Sequence, residues 1–191
     1  MTSATFHWVL YRQDELPAAM VQLKNTKGLV IDIRNYPAEF VVFSLTKYLS
    51  AKPVPFVRFG EPQPMYPGVF LRTPVTAVWG TKDAPYAGKV VILVNELSQS
   101  QSEYTTMALR AVPGAKVVGS TTAGVDGNVS TIILPGNIST MISGLGVYYP
   151  DGGETQRVGI VSDVVAQPTI AGIQAGRDEV LEKAVQLIAG Q

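Results

Sequence analysis

The hexapeptide Lys89-Val-Val-Ile-Leu-Val94 constrains the fold more than any other stretch of the chain. It is short, almost wholly aliphatic and β-branched, and shows no alternation with polar residues, which is the pattern of a strand covered on both faces. Such strands belong to parallel sheets, where crossover helices pack on either side. Leu29-Val-Ile-Asp-Ile33 and Lys116-Val-Val-Gly119 repeat the pattern. Helix signals separate these runs. Leu16, Ala19, Met20 and Leu23 follow Asp14 as N-cap and end before Gly28, and Val41, Leu45, Tyr48 and Leu49 are stopped by Pro53. Tyr104, Met107, Ala108 and Ala111 end at Gly114, and Val180 to Ile188 form a last amphipathic face.

Further strands are expected at Phe6 to Arg12, Val54 to Phe59, Val69 to Arg72 and Val75 to Trp79. Ser130 to Leu134 and Ser139 to Tyr149 read as an antiparallel pair around Pro135-Gly-Asn. The sum is a layered α/β domain with a mixed sheet and flanking helices. With 191 residues, 46% of them hydrophobic, the chain is long enough to bury one core, so residues 1–191 are expected to be one domain. Fifteen basic residues balance fifteen acidic ones, which leaves no summed field to recruit nucleic acid. There is no cysteine and only one histidine, His7, so neither a metal site nor a cofactor is expected. No stretch approaches the ~18 to 20 apolar residues of a membrane span. The first strand begins within a few residues of Met1, as expected of a domain taken from a longer protein, with an upstream segment elsewhere in the same polypeptide.

Functional groups of a parallel sheet gather just past the carboxyl ends of its strands. Three polar turns stand there: Asp32 to Ala38, Asn95 to Glu103 and Gly119 to Asn128. In the second, Ser100 opens a helix, where backbone N–H groups and the positive helix end suit an oxyanion. Ser100-Gln-Ser-Glu103 is also a capping box. Capping needs two residues and catalysis needs a base as well, so on spacing alone capping is the simpler reading.

Four blocks carry a resemblance: Gly28-Leu-Val-Ile-Asp-Ile-Arg-Asn-Tyr-Pro37, Val90 to Glu103, Val117-Val-Gly-Ser-Thr-Thr-Ala-Gly124 and Asp151-Gly-Gly-Glu-Thr-Gln-Arg-Val-Gly-Ile-Val-Ser-Asp163. In order and spacing they resemble the catalytic core of the C-terminal processing (tail-specific) serine proteases, over about residues 6–190. The resemblance implies a ClpP/crotonase-like core, an endopeptidase acting on proteins or their C-terminal tails, and Ser100 as nucleophile while still a cap. It implies an oxyanion hole from the amides of Gln101 and Ala38. The family's paired glycines are replaced here by Ala38-Glu39. For Asp32 and Arg34 a structural ion pair that braces the turn is the preferred reading.

The base is where the sequence departs from the family. The lysine that follows the glycine of the third block in the processing branch is Val125 here, and Lys116 lies back on the strand. This places the chain closer to the tricorn-like branch, which takes a histidine from an upstream segment and a late glutamate, for which Glu154 is the local candidate. His7, between Phe6 and Trp8, reads as a strand histidine, so the base is expected from outside this chain. Asp126 and Asn128 read as turn formers beside the site, and the loop Gly60 to Pro67 as a groove wall. Trp79, Tyr148 and Tyr149 are aromatic residues available to an apolar substrate side chain, although in strands they read first as core or cross-strand pairs. Two alternatives remain open: a catalytically inactive peptide-binding or assembly module on the same fold, and an acyl-CoA enzyme of the crotonase type, for which no Lys and Arg cluster is visible. The family's usual setting implies a periplasmic, cell-surface or secreted protein.

Overall fold

The structure, a computed structural model, describes residues 4–7, 13–81 and 84–190. Its centre is a five-stranded sheet of β1 (Ala4–His7), β2 (Gly28–Asp32), β6 (Lys89–Val94), β7 (Lys116–Gly119) and β11 (Val164–Val165), in the spatial order β1-β2-β6-β7-β11. Every pairing within it is parallel. The unbroken apolar runs are explained by what lies on each face. Leu29, Ile31, Val90, Ile92, Val94 and Val117 join one core with Leu16, Leu45, Phe56, Met107 and Leu109. Their neighbours Val30, Val91, Leu93 and Val118 point the other way, onto Val180, Ala184 and Ile188. Successive side chains of a strand alternate between faces, so a strand covered on both sides must be apolar throughout.

The first face is covered by α1 (Leu16–Leu23), α2 (Val42–Thr46), α3 (Gln101–Arg110) and β3 (Val54–Pro62), and the second by α5 (Glu179–Ala189). Antiparallel pairing is confined to other sheets. β3 pairs with β4 (Phe70–Arg72), β5 (Thr76–Val78) and β10 (Gly146–Tyr148), and β8 (Val129–Leu134) pairs with β9 (Ile138–Ser143). The β8–β9 hairpin exposes apolar side chains such as Ile133 and Met141.

Several boundaries differ from the sequence reading. The expected strand Ser139 to Tyr149 is broken at Gly144-Leu145, and its second half, β10, leaves the hairpin to pair with β3. Glu15 rather than Asp14 is the N-cap of α1, without a side-chain cap, because Pro17 fits the first turn and fixes where the helix begins. The helix expected through Leu49 ends at Thr46 and continues as tight turns, with Tyr48 and Leu49 donating to Leu45 and Thr46. Of the strand expected at Phe6 to Arg12, Phe6 and His7 lie in β1 and residues 8–12 lie outside the described residues. The two-residue β11 and α4 (Ile170–Gln174) are too short to show periodicity; Thr169 caps α4 by accepting from Gly172 N–H at 2.9 Å.

Register aligns the functional ends of the strands. Asp32 pairs with Leu93 and Leu93 with Val118, so the turns after β2, β6 and β7 emerge side by side. At the first turn Arg34 forks onto Asp32, at 2.9 Å from Nε and 2.6 Å from Nη2, and onto Asp178, at 2.9 and 2.6 Å. Asp178 also accepts from Leu181 N–H at 3.0 Å, so one guanidinium joins the end of β2 to the start of α5.

Gly119 closes β7 at φ 136°, where a Cβ would lie 1.9 Å from the carbonyl oxygen of Val94. Gly119→Ala is expected to cost about 3 kcal/mol or more in urea unfolding, whereas Gly144→Ala, with open space around it, stays within about 0.5 kcal/mol.

Candidate active site

The turn after β6 is built on a buried serine. Ser98 donates its hydroxyl to Ile33 O at 2.9 Å, accepts from Asn95 N–H at 3.1 Å, and its carbonyl accepts from Ala123 N–H at 3.0 Å. One residue thereby ties together the three turns at the carboxyl ends of β2, β6 and β7. The sequence showed Ser98 only as part of a polar cluster.

Two residues later Ser100 occupies the N-cap of α3 with φ 51° and ψ −116°. N-cap residues normally lie in the β region, and a non-glycine residue at such angles costs about 1–3 kcal/mol. Two contacts hold it there. Its N–H donates to Val125 O at 2.8 Å, and Glu103 Oε2 accepts from the same N–H at 3.2 Å. The Ser100 side chain also takes the serine half of the capping box, facing the N3 amide of α3.

Glu103 is fully buried and does more than cap. Its Oε1 accepts from Thr122 Oγ1 at 2.5 Å and Gly124 N–H at 2.8 Å, while Oε2 accepts from Val125 N–H at 2.9 Å in addition to Ser100. Four donors satisfy the carboxylate and fasten the third block against the first turn of α3. The fourth block secures the same turn from the other side: Gly124 O accepts from Arg157 N–H at 2.7 Å, and Gln156 Nε2 donates to Asp126 O at 2.8 Å.

The main-chain N–H groups of Gln101 and Ala38 have no acceptor among the described residues. Their segments are joined by Gln101 Nε2, which donates to Glu39 O at 2.8 Å. Ser100 and Gln101 line a cavity of about 320 Å³ together with Tyr36, Phe40, Tyr104 and Asp126. Ala38 is exposed between two of the lining residues, Tyr36 and Phe40.

Other candidates fall elsewhere. Glu154 is exposed on the turn that bridges back to Tyr148 and does not line this cavity. His7 is paired in register with Asp32, and its side chain lies outside the described residues. Trp79 is exposed, and the ring of Tyr148 packs against the Arg72 guanidinium, 3.8 Å from its centroid. Neither they nor Tyr149 line the cavity, and none of residues 60–67 does. Asn128 does line it.

Asp126 is the residue whose importance the sequence understated. It is only 7% exposed. Its Oδ1 accepts from Gly127 N–H at 2.7 Å, whereas Oδ2 is buried with no partner among the described residues. Burial, reinforced by the nearby Glu103 carboxylate and opposed by the Gly127 N–H, pushes its pKa up to about 7. Burial and the Asp126 charge also push the Tyr104 hydroxyl up to about 12. An acidic residue just before a glycine reads as a turn former in sequence; only packing distinguishes this one.

Residues 46–166 match the model of peptidase family S41. The chain belongs to that family. No significant match is found among curated proteins. Among solved structures, a candidate peptidase of Parabacteroides merdae superposes with a TM-score of 0.87 at 19% identity, covering 98% of this chain and 61% of its own. Mature CPAF in complex with lactacystin gives 0.79 at 14% identity, covering 99% and 52%. The photosystem II D1 C-terminal processing protease gives 0.62 at 18%, covering 87% and 42%. At these identities the likeness is one of fold, and the chain spans between about two-fifths and three-fifths of these three proteins. In this S41 fold, position 125, which the resemblance assigns to a lysine, holds a valine whose main chain serves Ser100 and Glu103 while its side chain is exposed.

Two outcomes follow from the buried acids. Glu103→Gln turns one acceptor into a donor facing other donors, and is expected to cost about 2–4 kcal/mol in chemical denaturation. Asp126 has a folded pKa raised above that of the unfolded chain, so the native state binds the extra proton and wild-type stability falls as pH rises from about 4 to about 7. Asp126→Asn, which keeps an acceptor for Gly127 N–H, removes that slope. Thermal unfolding is expected to show the variant gaining over wild type above pH 7, by on the order of 3 kcal/mol, with the gain vanishing in acid.

Proposed function

We propose that this S41 chain is the core of a serine endopeptidase that cleaves proteins or their C-terminal tails, with Ser100 as nucleophile. The observation that carries the reading is the left-handed backbone of Ser100 at the head of α3, on the wall of a cavity, beside an N–H that has no acceptor among the described residues. The capping box accounts for a serine at the head of α3, but a cap normally lies in the β region and the box does not account for the positive φ.

Ser100 Oγ attacks the scissile carbonyl carbon as a base removes the hydroxyl proton, and the carbonyl electron pair moves onto oxygen. The amides of Gln101 and Ala38 hold the resulting oxyanion. Collapse expels the amine, which takes the proton back from the base, and leaves an acyl-serine for water to hydrolyse. The base comes from outside this chain, from an upstream segment of the same polypeptide. The setting is the periplasm, the cell surface or the medium, which cell fractionation tests.

A second reading, an inactive peptide-binding module, is favoured by Val125 and by the absence of any basic side chain among the residues lining the cavity. Ser100→Ala in the full-length protein separates the two. A fall of about 10³-fold or more in peptide hydrolysis, with loss of labelling by a serine-directed phosphonate, supports the endopeptidase. Unchanged hydrolysis or labelling overturns it, and a wild type that neither cleaves nor labels leaves the module.

A further inference from the structure

The cavity beside Ser100 has walls of two kinds. Tyr36, Phe40, Phe59 and Tyr104 supply aromatic surface, and Leu145 and Val147 supply aliphatic surface. The rings form one cluster, with Tyr104 stacked on Phe40 at 5.8 Å and on Phe59 at 6.2 Å between centroids. Among the lining residues the only formally charged one is Asp126, and no lysine or arginine accompanies it.

The nearest acid is no counter-charge. Glu103 adds a second carboxylate, and its four donors are main-chain amides and one threonine hydroxyl, none of them cationic. Asp126 Oδ1 is held by Gly127 N–H, and Oδ2, shielded from water, has no partner among the described residues. A buried carboxylate without a cation is costly, and the described residues lining the cavity provide none.

We propose that this cavity is a subsite for a cationic side chain, lysine or arginine, of a bound peptide, and that Asp126 selects it. The proposal rests on the reading of Ser100 as the reacting residue only for naming the ligand a peptide; the recognition chemistry stands on the cavity. The aliphatic stem of such a side chain lies along Leu145 and Val147, and its cationic head is favoured by the aromatic faces and by the negative charge of the Asp126 carboxylate in the cavity wall. Because the Asp126 carboxylate is buried, its attraction for a cation in the cavity is screened little by water.

The groups that face Asp126 define its pH dependence. From α3 these are the Glu103 carboxylate and the Tyr104 hydroxyl, and from its own turn the Gly127 N–H. The carboxyl is neutral below its pKa of about 7, so cation preference is present above that pH and fades below it.

The test uses n-pentylamine and its uncharged isostere 1-pentanol as probes, titrated into the chain and followed through the amide NMR signals of Ser100, Tyr104 and Asp126. At about pH 8 the amine is expected to bind at least about fivefold tighter than the alcohol, and at about pH 5.5 the preference shrinks to less than about twofold. Asp126→Asn is expected to abolish the preference at both pH values while leaving 1-pentanol binding unchanged. Equal binding of the two probes to wild type, or an amine preference that survives in Asp126→Asn, overturns the proposal. So does a preserved amine preference in an Asp126→Asn variant that has lost hydrolysis, which would make Asp126 the base instead. Neither probe is cleaved, so Ser100→Ala leaves this readout intact, and a failure of the serine mechanism is seen separately from a failure of cation selection.

Discussion

The carboxylate of Glu103 holds the site together. It is fully buried, and its two oxygens accept from Thr122 Oγ1, Gly124 N–H, Val125 N–H and Ser100 N–H. These donors come from two strand-to-helix or strand-to-loop turns far apart in sequence, so the bond set exists only once β6 and β7 are paired. Ser98 does the same for the turn after β2 through its bond to Ile33 O. The unusual backbone of Ser100 is imposed by this scaffold, because two acceptors fix its N–H and the parallel sheet fixes both acceptors.

The scaffold depends in turn on a sheet that is covered on both faces. Helices α1 to α3 and strand β3 close one side and α5 the other, which is why β2, β6 and β7 can be apolar at nearly every position. The Arg34 fork onto Asp32 and Asp178 links the second face to the functional edge of the sheet, with Asp178 held below the usual carboxylate range by that guanidinium. Layering and site are thus mechanically continuous: the guanidinium that braces the first turn grips the aspartate that caps the helix behind the sheet.

Much of this was legible in the sequence. Lys89–Val94 and Lys116–Gly119 stand where their composition placed them, because a strand buried on both sides leaves no freedom in residue type. Ser100 at the head of α3 and the Glu103 half of its capping box were readable from four residues. The three donors from the third block were not, since Thr122, Gly124 and Val125 reach Glu103 only through the fold. Asp126 was misleading for the same reason: flanked by Val125 and Gly127 it looks like a turn residue, and nothing local reveals that Oδ2 is sealed with no partner among the described residues. The break at Gly144-Leu145 was missed because β9 and β10 are both strands, and alternation alone does not say that the second one changes partner.

The left-handed conformation of Ser100 has an evolutionary corollary. Glycine takes φ 51° without penalty, so at this position the fold by itself would be better served by the residue with no side chain at all. Every generation that keeps the serine therefore keeps a slightly less stable protein. Drift in a lineage released from any need for the hydroxyl would run toward glycine here before it touched the four-donor carboxylate three residues on, whose loss would unfasten the turns themselves. Positions 100 and 103 thus carry different constraints: the first is held by whatever the hydroxyl does, the second by the fold.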